Sequence, residues 1–223
     1  MTHRSLITQN EFNLITTAIQ GLLETTGHTK TVVGGCAIFA CFGAAVMNSK
    51  LNIPCRPVAG AWQLHHPNGQ CVLGIGQEEE RRIHANENGF HMWVQTETHI
   101  IDFMSPLYPE VFPEVHSEAP IPRRVLQVPR KDDAKDMGEF LNGSPLFTLP
   151  SLDLTKSFVE GVAKSSSSQD LLNVFLSWWS GLEKEPHLGI ELEKSTGEYL
   201  EIWPSDCKAE GVWKGPGVIA HGV

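Results

Sequence analysis

The sequence predicts a mixed α+β fold in which a central buried helix packs on an antiparallel sheet. Three observations predict it: an amphipathic segment near the N-terminus, a segment after it that is apolar on every side, and several short strand-like segments separated by turn residues. Helices followed by a run of neighbouring strands are typical of the α+β class. The 223 residues suit a single domain over 1–223, with a core at about 8–106.

The amphipathic segment covers residues 8–26. Its apolar side chains recur at three- and four-residue spacing, which places them on one helix face; they are Phe12, Ile15, Ile19, Leu22 and Leu23. Thr8 and Glu11 fit a capping box at the start of this helix, and Gly27 suits the left-handed residue that ends one. We therefore expect a helix that buries one side.

The central helix is expected at 36–48, because a helix that is apolar all round belongs in the middle of a domain. Small residues within it, among them Gly43, would let neighbouring backbones approach closely. Cys36 follows Gly34 and Gly35 directly and is expected to be the first residue of this helix.

Strand-like segments follow the central helix. Residues 56–64 and 70–75 flank a turn and are expected to form a hairpin, after which a charged loop is expected over 77–88. Residues 90–96 and 99–103 are expected to form a second antiparallel pair.

The remaining residues, 107–223, carry weaker signals. Prolines are dense over 105–130, so this stretch is expected to run extended across the surface. Ser167 with Asp170 is expected to cap a C-terminal helix. The segments at 188–193 and 198–203 flank turn residues and are expected to form another hairpin.

Composition excludes several classes of function. The formal charge of −9 argues against nucleic acid or an anionic membrane as the main partner. No apolar run is long enough to span a bilayer, and the first residues lack a signal-peptide pattern, so a cytoplasmic protein is expected. Five cysteines without CxxC or zinc-type spacing predict reduced thiols, no bound metal and no cofactor. The sequence does not predict an oligomeric state.

Cys36 is the candidate nucleophile. The N–H groups at a helix N-terminus carry partial positive charge, which favours a thiolate over a thiol, and the thiolate is the reactive form. The glycines before it would let a substrate carbonyl come close to the backbone. The backbone at Gly35 and Cys36 is therefore the candidate oxyanion site.

His91 and Asp102 are the candidate partners of this thiol. Each lies in an otherwise apolar strand, and an acid in such a strand is costly to bury unless it is paired. If the two strands turn tightly at 97–98, His91 falls roughly opposite Asp102 or next to its neighbour. The predicted triad has Cys36 as nucleophile, His91 as base and Asp102 as the residue that orients the base.

These motifs resemble the transglutaminase-like branch of the papain-like cysteine superfamily. Residues 91–94, His-Met-Trp-Val, are similar to that branch's His-Ala-Trp-Val strand, and Asp102 falls where its Asp strand ends. Arylamine acetyltransferases share this order of cysteine, histidine and aspartate. The resemblance covers about residues 8–106, and an uncharacterised bacterial family of unknown function on this fold would fit best. It implies a papain-like fold and assigns the triad roles to Cys36, His91 and Asp102.

The resemblance implies a cysteine-nucleophile hydrolase or acyltransferase that acts on an amide or thioester of a small molecule or peptide. Peptidase, amidase and acyltransferase activities stay open, because the sequence does not identify the acyl acceptor. The alternative is a non-catalytic binding or scaffold protein in which His91 and Asp102 form only a structural pair. A redox pair of Cys36 and Cys41 ranks last, because five residues along a helix separate them too far for an easy disulfide.

The other reactive side chains have simpler interpretations. His65 and His66 are adjacent in a strand and face opposite sides, so a solvated turn is favoured over a metal site. The charged run 78–82 is favoured as a solvated loop over a lid. Core packing is expected for three other cysteines, Cys41, Cys55 and Cys71, and Cys207 is expected to be incidental in a polar tail.

Overall fold

The computed structural model describes residues 5–27, 32–69, 71–79, 82–193 and 196–214, without the side chains at 32–34, 79 and 82. Its helices are α1 (Gln9–Thr26), α2 (Val32–Ser49), α3 (Tyr108–Val111), α4 (Pro113–Glu118), α5 (Met137–Leu141), α6 (Leu152–Lys164) and α7 (Ser166–Leu182). Its strands are β1 (Cys55–His65), β2 (Val72–Ile75), β3 (Gln77–Glu79), β4 (Arg82–His84), β5 (His91–Thr96), β6 (His99–Asp102), β7 (Leu126–Pro129), β8 (Asp133–Ala134), β9 (Leu146–Ser151), β10 (Ile190–Glu193) and β11 (Tyr199–Ile202). No helix in these ranges is long and apolar enough to cross a membrane.

The predicted α+β class is confirmed, but the sheet is mixed. Its strand order is β7-β6-β5-β1-β9-β8, and β2 pairs with the second half of β1. Every pair in it is antiparallel except β8 with β9. The short helix α5 lies between β8 and β9 in the chain, and a helical crossover returns the next strand in the same direction.

β1 is the common partner in the middle of the sheet. Its residues 55–60 pair with β5, and its residues 62–65 pair with β2 along the same side. The predicted hairpin of β1 with β2 and the predicted pairing of β5 with β6 are both confirmed. The expected charged loop is wrong in part, because β3 and β4 form a two-stranded ladder there; residues 70, 80 and 81 lie outside the described residues.

α1 forms as its caps predict. The Glu11 N–H donates to the Thr8 hydroxyl at 3.2 Å, and the Thr8 N–H donates to the Glu11 carboxylate at 2.7 Å, which completes the capping box. Gly27 ends the helix at a φ of 74°, in the left-handed region. All five of the predicted apolar positions are buried.

α2 begins earlier than predicted. It starts at Val32, so Cys36 is its fifth residue rather than its first, and Gly34 and Gly35 lie inside the helix. A glycine inside a helix costs only about 1 kcal/mol relative to alanine, which is small compared with burying a helix of this apolarity.

The two larger apolar cores lie on opposite faces of the sheet. The long helices α1, α2, α6 and α7 share the larger core, whose members run from Ile7 to Ala209. The opposite face is covered by residues of α3 and α4, by Ile121 and by Trp213. Side chains from beyond residue 107 thus contribute to both cores.

The proline-dense stretch is not extended over the surface as predicted. It contains a 3₁₀ turn (Ser105–Leu107), α3, α4 and β7, and Tyr108 and Leu126 are fully buried. Prolines stand in the first turns of the three helical pieces. A proline is tolerated there because a first-turn N–H has no partner within the helix.

The C-terminal helices differ from the prediction in detail. The C-terminal helix α7 is capped two residues earlier than predicted, by Ser165, whose hydroxyl accepts the Ser168 N–H at 3.2 Å. Helix α6 directly before it was not predicted. The predicted last hairpin is confirmed as β10 with β11.

Replacing Gly43 with alanine should destabilise the protein. A Cβ at Gly43 would lie 2.3 Å from the buried Phe103 ring, and overpacking of this kind costs roughly 1–3 kcal/mol. The matched control is Gly161→Ala in α6, where a Cβ meets nothing within 4 Å and where helix propensity predicts a gain of up to about 1 kcal/mol. Urea denaturation measures both, and equal effects of the two variants would contradict the predicted contact.

Candidate active site

His91 and Asp102 meet across the β5–β6 ladder. Val94 pairs with Ile101 and Gln95 with Ile100, so continuing the register places Asp102 beside Trp93 and leaves His91 two residues further along the same face. The contact is therefore diagonal, a distance that a histidine side chain spans. His91 Nε2 lies 2.5 Å from Asp102 Oδ2, and the side chains are only 1% and 2% exposed.

Asp102 accepts two further hydrogen bonds. The Met104 N–H donates to Oδ1 at 2.8 Å, and the Tyr108 hydroxyl donates to Oδ2, the same oxygen that faces His91. A buried carboxylate needs such donors to replace the water it has lost.

Sequence reasoning missed Tyr108. The only signal was weak: one of the two tyrosines of the chain lies six residues after Asp102, between Pro106 and Pro109. The density of prolines predicts a surface segment, whereas the structure buries the Tyr108 side chain completely.

Cys36 completes the group. It lies on α2, is 3% exposed and is hydrogen-bonded to the His91 side chain. Because Asp102 engages Nε2, the nitrogen that faces the sulfur is Nδ1. The structure thus brings sulfur, imidazole and carboxylate together in the predicted order, while their catalytic roles stay predictions.

The surroundings of His91 favour its protonated form. Burial lowers the pKa of the imidazole, but the charge and hydrogen bond of Asp102 and the hydrogen bond and charge of Cys36 outweigh it and raise the pKa to about 10. The Trp62 ring lies 5.3 Å from the imidazole, centroid to centroid, a distance at which an indole attracts a cation. The contacts around His91 therefore favour the imidazolium over the neutral ring.

The other cysteines are held as thiols. Burial raises the pKa of Cys41, Cys55 and Cys207 to about 11 each, and it also raises the pKa of Cys71. Protonated thiols are weak nucleophiles. The expectation that Cys207 is incidental in a polar tail is wrong, because the residue is 7% exposed and lines a cleft.

That cleft has a volume of about 400 Å³, within the range of small-molecule sites. Two residues next to the cluster form part of its lining. Gly35 precedes Cys36 in the sequence, and the N–H of Met104 donates to Asp102. A Cβ at Gly35 would meet nothing within 4 Å. On the far side, Arg123 donates to the Glu110 carboxylate and to the Pro106 carbonyl. The cleft therefore borders the residue before Cys36, and the sulfur itself is not part of its lining.

The oxyanion role expected for the backbone at Gly35 and Cys36 stays a prediction. In a regular α-helix the N–H of the fifth residue bonds the carbonyl four residues before it. With α2 beginning at Val32, Gly35 and Cys36 both lie beyond the first three helical residues, whose N–H groups are the ones that a helix leaves free, so the helix weighs against both positions.

His65 and His66 face different partners. His65 Nε2 lies 2.9 Å from the Phe140 carbonyl, and His66 Nδ1 lies 2.5 Å from Asn68 Oδ1. The expectation of a solvated turn is wrong for His66, which is 2% exposed. Across the described part of the chain, no group of three or more His, Cys, Asp or Glu side chains has the arrangement of a metal site.

The fold and this group define a mixed α+β protein with a buried cysteine–histidine–aspartate cluster. The chain belongs to the DUF2026 family of proteins of unknown function, whose model matches residues 8–213. A solved crystal structure of the genomics target APC5867 has the same fold, with a TM-score of 0.80 and 21% sequence identity over 95% of this chain and 98% of that one. A comparison with curated proteins gives no significant match. The expected membership of a family of unknown function is confirmed.

Folding stability should fall as pH rises through the alkaline range. The pKa of His91 is raised above its ordinary 6.5 to about 10, so its stabilising contacts are complete below 6.5 and are lost on the way to 10. In Cys36→Ser, where no thiol beside His91 can release a proton in exchange, the free energy of unfolding between pH 6.5 and about 8.5 should decrease by roughly 1 kcal/mol per pH unit. Urea titrations at several pH values measure this slope.

The control for this slope is a pair of histidine variants. In the Cys36→Ser background, His91→Gln should remove most of the slope, whereas His187→Gln, at an exposed position, should keep it. A slope that survives in His91→Gln would show that another group is responsible.

Proposed function

We propose that this protein is a cysteine-nucleophile hydrolase or acyltransferase that acts on an amide or thioester carbonyl. The observation that carries the proposal is the hydrogen-bonded chain from the Cys36 thiol through the His91 imidazole to the Asp102 carboxylate. Such a chain supplies a nucleophile, an acid–base group and the residue that orients it.

The first step is the attack of the Cys36 thiolate on the carbonyl carbon. The C–S bond forms as the carbonyl π electrons move onto oxygen, and the tetrahedral intermediate then expels the amine or thiol. The His91 imidazolium donates its Nδ1 proton to this leaving group, and an acyl-thioester remains on Cys36.

The second step releases the acyl group. Neutral His91 takes a proton from water or from an amine or thiol acceptor, which attacks the acyl-thioester carbon. The C–S bond breaks, the Cys36 thiolate returns, and His91 is again an imidazolium. Asp102 holds the imidazole through Nε2 in both steps, and no electrons leave the substrate or the enzyme.

The arrangement supports a papain-like, transglutaminase-like fold as part of the same proposal. Helix α2 carries the cysteine and packs against β5 and β1, and the antiparallel neighbours β5 and β6 carry the histidine and the aspartate. This is the order of elements from which the resemblance was drawn.

The cleft suggests what the acyl group looks like. Five of its lining side chains are apolar: Leu23, Phe39, Met104, Leu107 and Val111. Charged side chains, Glu24, Glu110, Arg123 and Asp206, line it as well. A small-molecule or peptide acyl group with an apolar body and a polar end fits this lining.

A specific observation also favours the second candidate, a non-catalytic binding protein on the same fold. Cys36 is only 3% exposed and does not itself line the cleft. In that case the cleft binds its ligand and the buried cluster only stabilises the fold.

Acylation by p-nitrophenyl acetate distinguishes the two candidates. We expect the wild-type protein at neutral pH to release nitrophenolate in a burst and to carry one acetyl group on Cys36, located by peptide mass mapping. Cys36→Ser should abolish the adduct. His91→Gln should slow its formation by roughly a hundredfold or more, because the imidazolium that favours the reactive thiolate at Cys36 is lost.

Cys71→Ser is the matched control, since it removes a thiol outside the cluster and should leave the burst intact. A folded wild-type protein that acquires no acetyl group, or acquires it equally on several cysteines, would contradict the catalytic proposal and favour the binding protein.

A further inference from the structure

Tyr108 is placed with unusual restraint beside the cluster. The residue is fully buried at the start of α3, and its hydroxyl donates to Oδ2 of Asp102. Its ring has edge contacts with Trp62 at 5.3 Å, Phe112 at 5.8 Å and Trp213 at 5.9 Å, measured between ring centroids. Aromatic neighbours on several sides leave the phenol little freedom to turn away from the carboxylate.

We propose that Tyr108 is a positioning residue for the reaction proposed above, on which this inference rests: its hydroxyl shares Oδ2 of Asp102 with His91, holds the carboxylate in place and sets how firmly the imidazole keeps its proton.

Two hydrogen bonds explain how the Asp102 carboxylate is held in place. The Met104 N–H holds Oδ1 and the Tyr108 hydroxyl holds Oδ2. One donor on each oxygen fixes both the position and the plane of the carboxylate. His91 then meets an oxygen whose direction is already set, which is what an orienting acid requires.

The sharing of Oδ2 between Tyr108 and His91 explains how the phenol affects the proton on the imidazole. A hydrogen bond from the phenol withdraws negative charge from Oδ2 and so weakens the attraction of that oxygen for the imidazolium. His91 then yields its proton to a leaving group more readily than it would beside a carboxylate without that bond.

The phenol stays a donor over the working pH range. Burial raises the pKa of Tyr108 well above its ordinary value, and the charges of Asp102 and Cys36 raise it further. The ionisable groups that His91 meets from the packed elements are Cys36 on α2, Asp102 on β6 and Tyr108 on α3. Of these, only Tyr108 contributes a neutral O–H.

Tyr108→Phe removes this hydroxyl and keeps the ring. We expect the pKa of His91, followed by NMR of the labelled imidazole, to rise by roughly half a unit or more. The rate of acetyl transfer from p-nitroacetanilide, whose amine leaving group departs only after protonation, should fall roughly tenfold, the usual effect of one hydrogen bond to a charged group. Asp102→Asn should move the pKa of His91 in the opposite direction, downwards.

The chain offers a matched control in its other tyrosine. Tyr199 is 65% exposed on β11, so Tyr199→Phe should change neither the His91 titration nor the acylation rate. An unchanged or lowered pKa of His91 in Tyr108→Phe, with the fold intact by circular dichroism, overturns the inference.

A second measurement covers the case in which Tyr108→Phe does not fold. Tyr199→Phe protein produced with 3-fluorotyrosine carries one fluorinated ring, at position 108, because the chain has only two tyrosines. The fluorinated phenol is more acidic and donates more strongly, so the pKa of His91 should fall. A pKa that stays at the wild-type value, or rises, counts against the inference.

The two proposals fail separately. If Cys36→Ser and His91→Gln acquire the acetyl group as fast as wild type, the catalytic proposal fails, and the inference about catalysis falls with it, although the titration still reports whether the phenol tunes His91. If those variants are inactive while Tyr108→Phe matches wild type in titration and rate, the proposed function stands and the role of Tyr108 is refuted.

Discussion

A histidine and an aspartate in hydrogen-bonding contact inside the sheet place the strongest constraint on this structure. Removing such ions from water costs several kcal/mol for each, and the cost is offset only when geometry and additional hydrogen bonds are good. Here Asp102 receives three donors, and His91 lies between Asp102 and Cys36 with an indole beside it. These contacts form only when β5 and β6 pair in this register, when α2 packs beside His91 and when the second core buries Tyr108.

The strand arrangement around His91 satisfies this constraint. Along one side, β1 pairs first with β5 and then with β2. His91 is the first residue of β5 and pairs with Gly60 of β1. A Cβ at Gly60 would lie 2.2 Å from the Leu149 carbonyl oxygen of β9. The glycine therefore lets β9 close tightly on one side of β1, while the histidine lies on the other side where a strand begins.

Much of the fold could be predicted because its signals are local. The capping box at Thr8 and Glu11 and the alternation around the turn at 97–98 depend only on neighbours in the sequence, and the structure confirms both. His91 and Asp102 stood out because charged groups in apolar strands need partners. That reasoning identified which residues meet, but not how many donors surround the carboxylate.

The errors arose where one residue type supports two structures. Proline ends helices and also begins them, and at Pro106, Pro109 and Pro113 it begins them. Glycine disfavours helix locally, yet Gly35 lies within α2, because tertiary burial outweighs local propensity. Tyr108 could not be found from the sequence, since the second core that buries it combines segments more than a hundred residues apart.

The wall of the cleft formed by residues 205–207 comes from a different part of the chain than the buried cluster of Cys36, His91 and Asp102. Hydrogen bonds attach it to α1. The Ser205 N–H donates to the Thr17 carbonyl at 2.9 Å, and the Asn13 side-chain amide donates to the Ala209 carbonyl. None of these bonds involves Cys36, His91 or Asp102. This wall of the cleft is therefore held by contacts that do not involve the buried cluster, so substitutions at 205–207 can reshape the cleft while the hydrogen bonds of His91 and Asp102 stay in place.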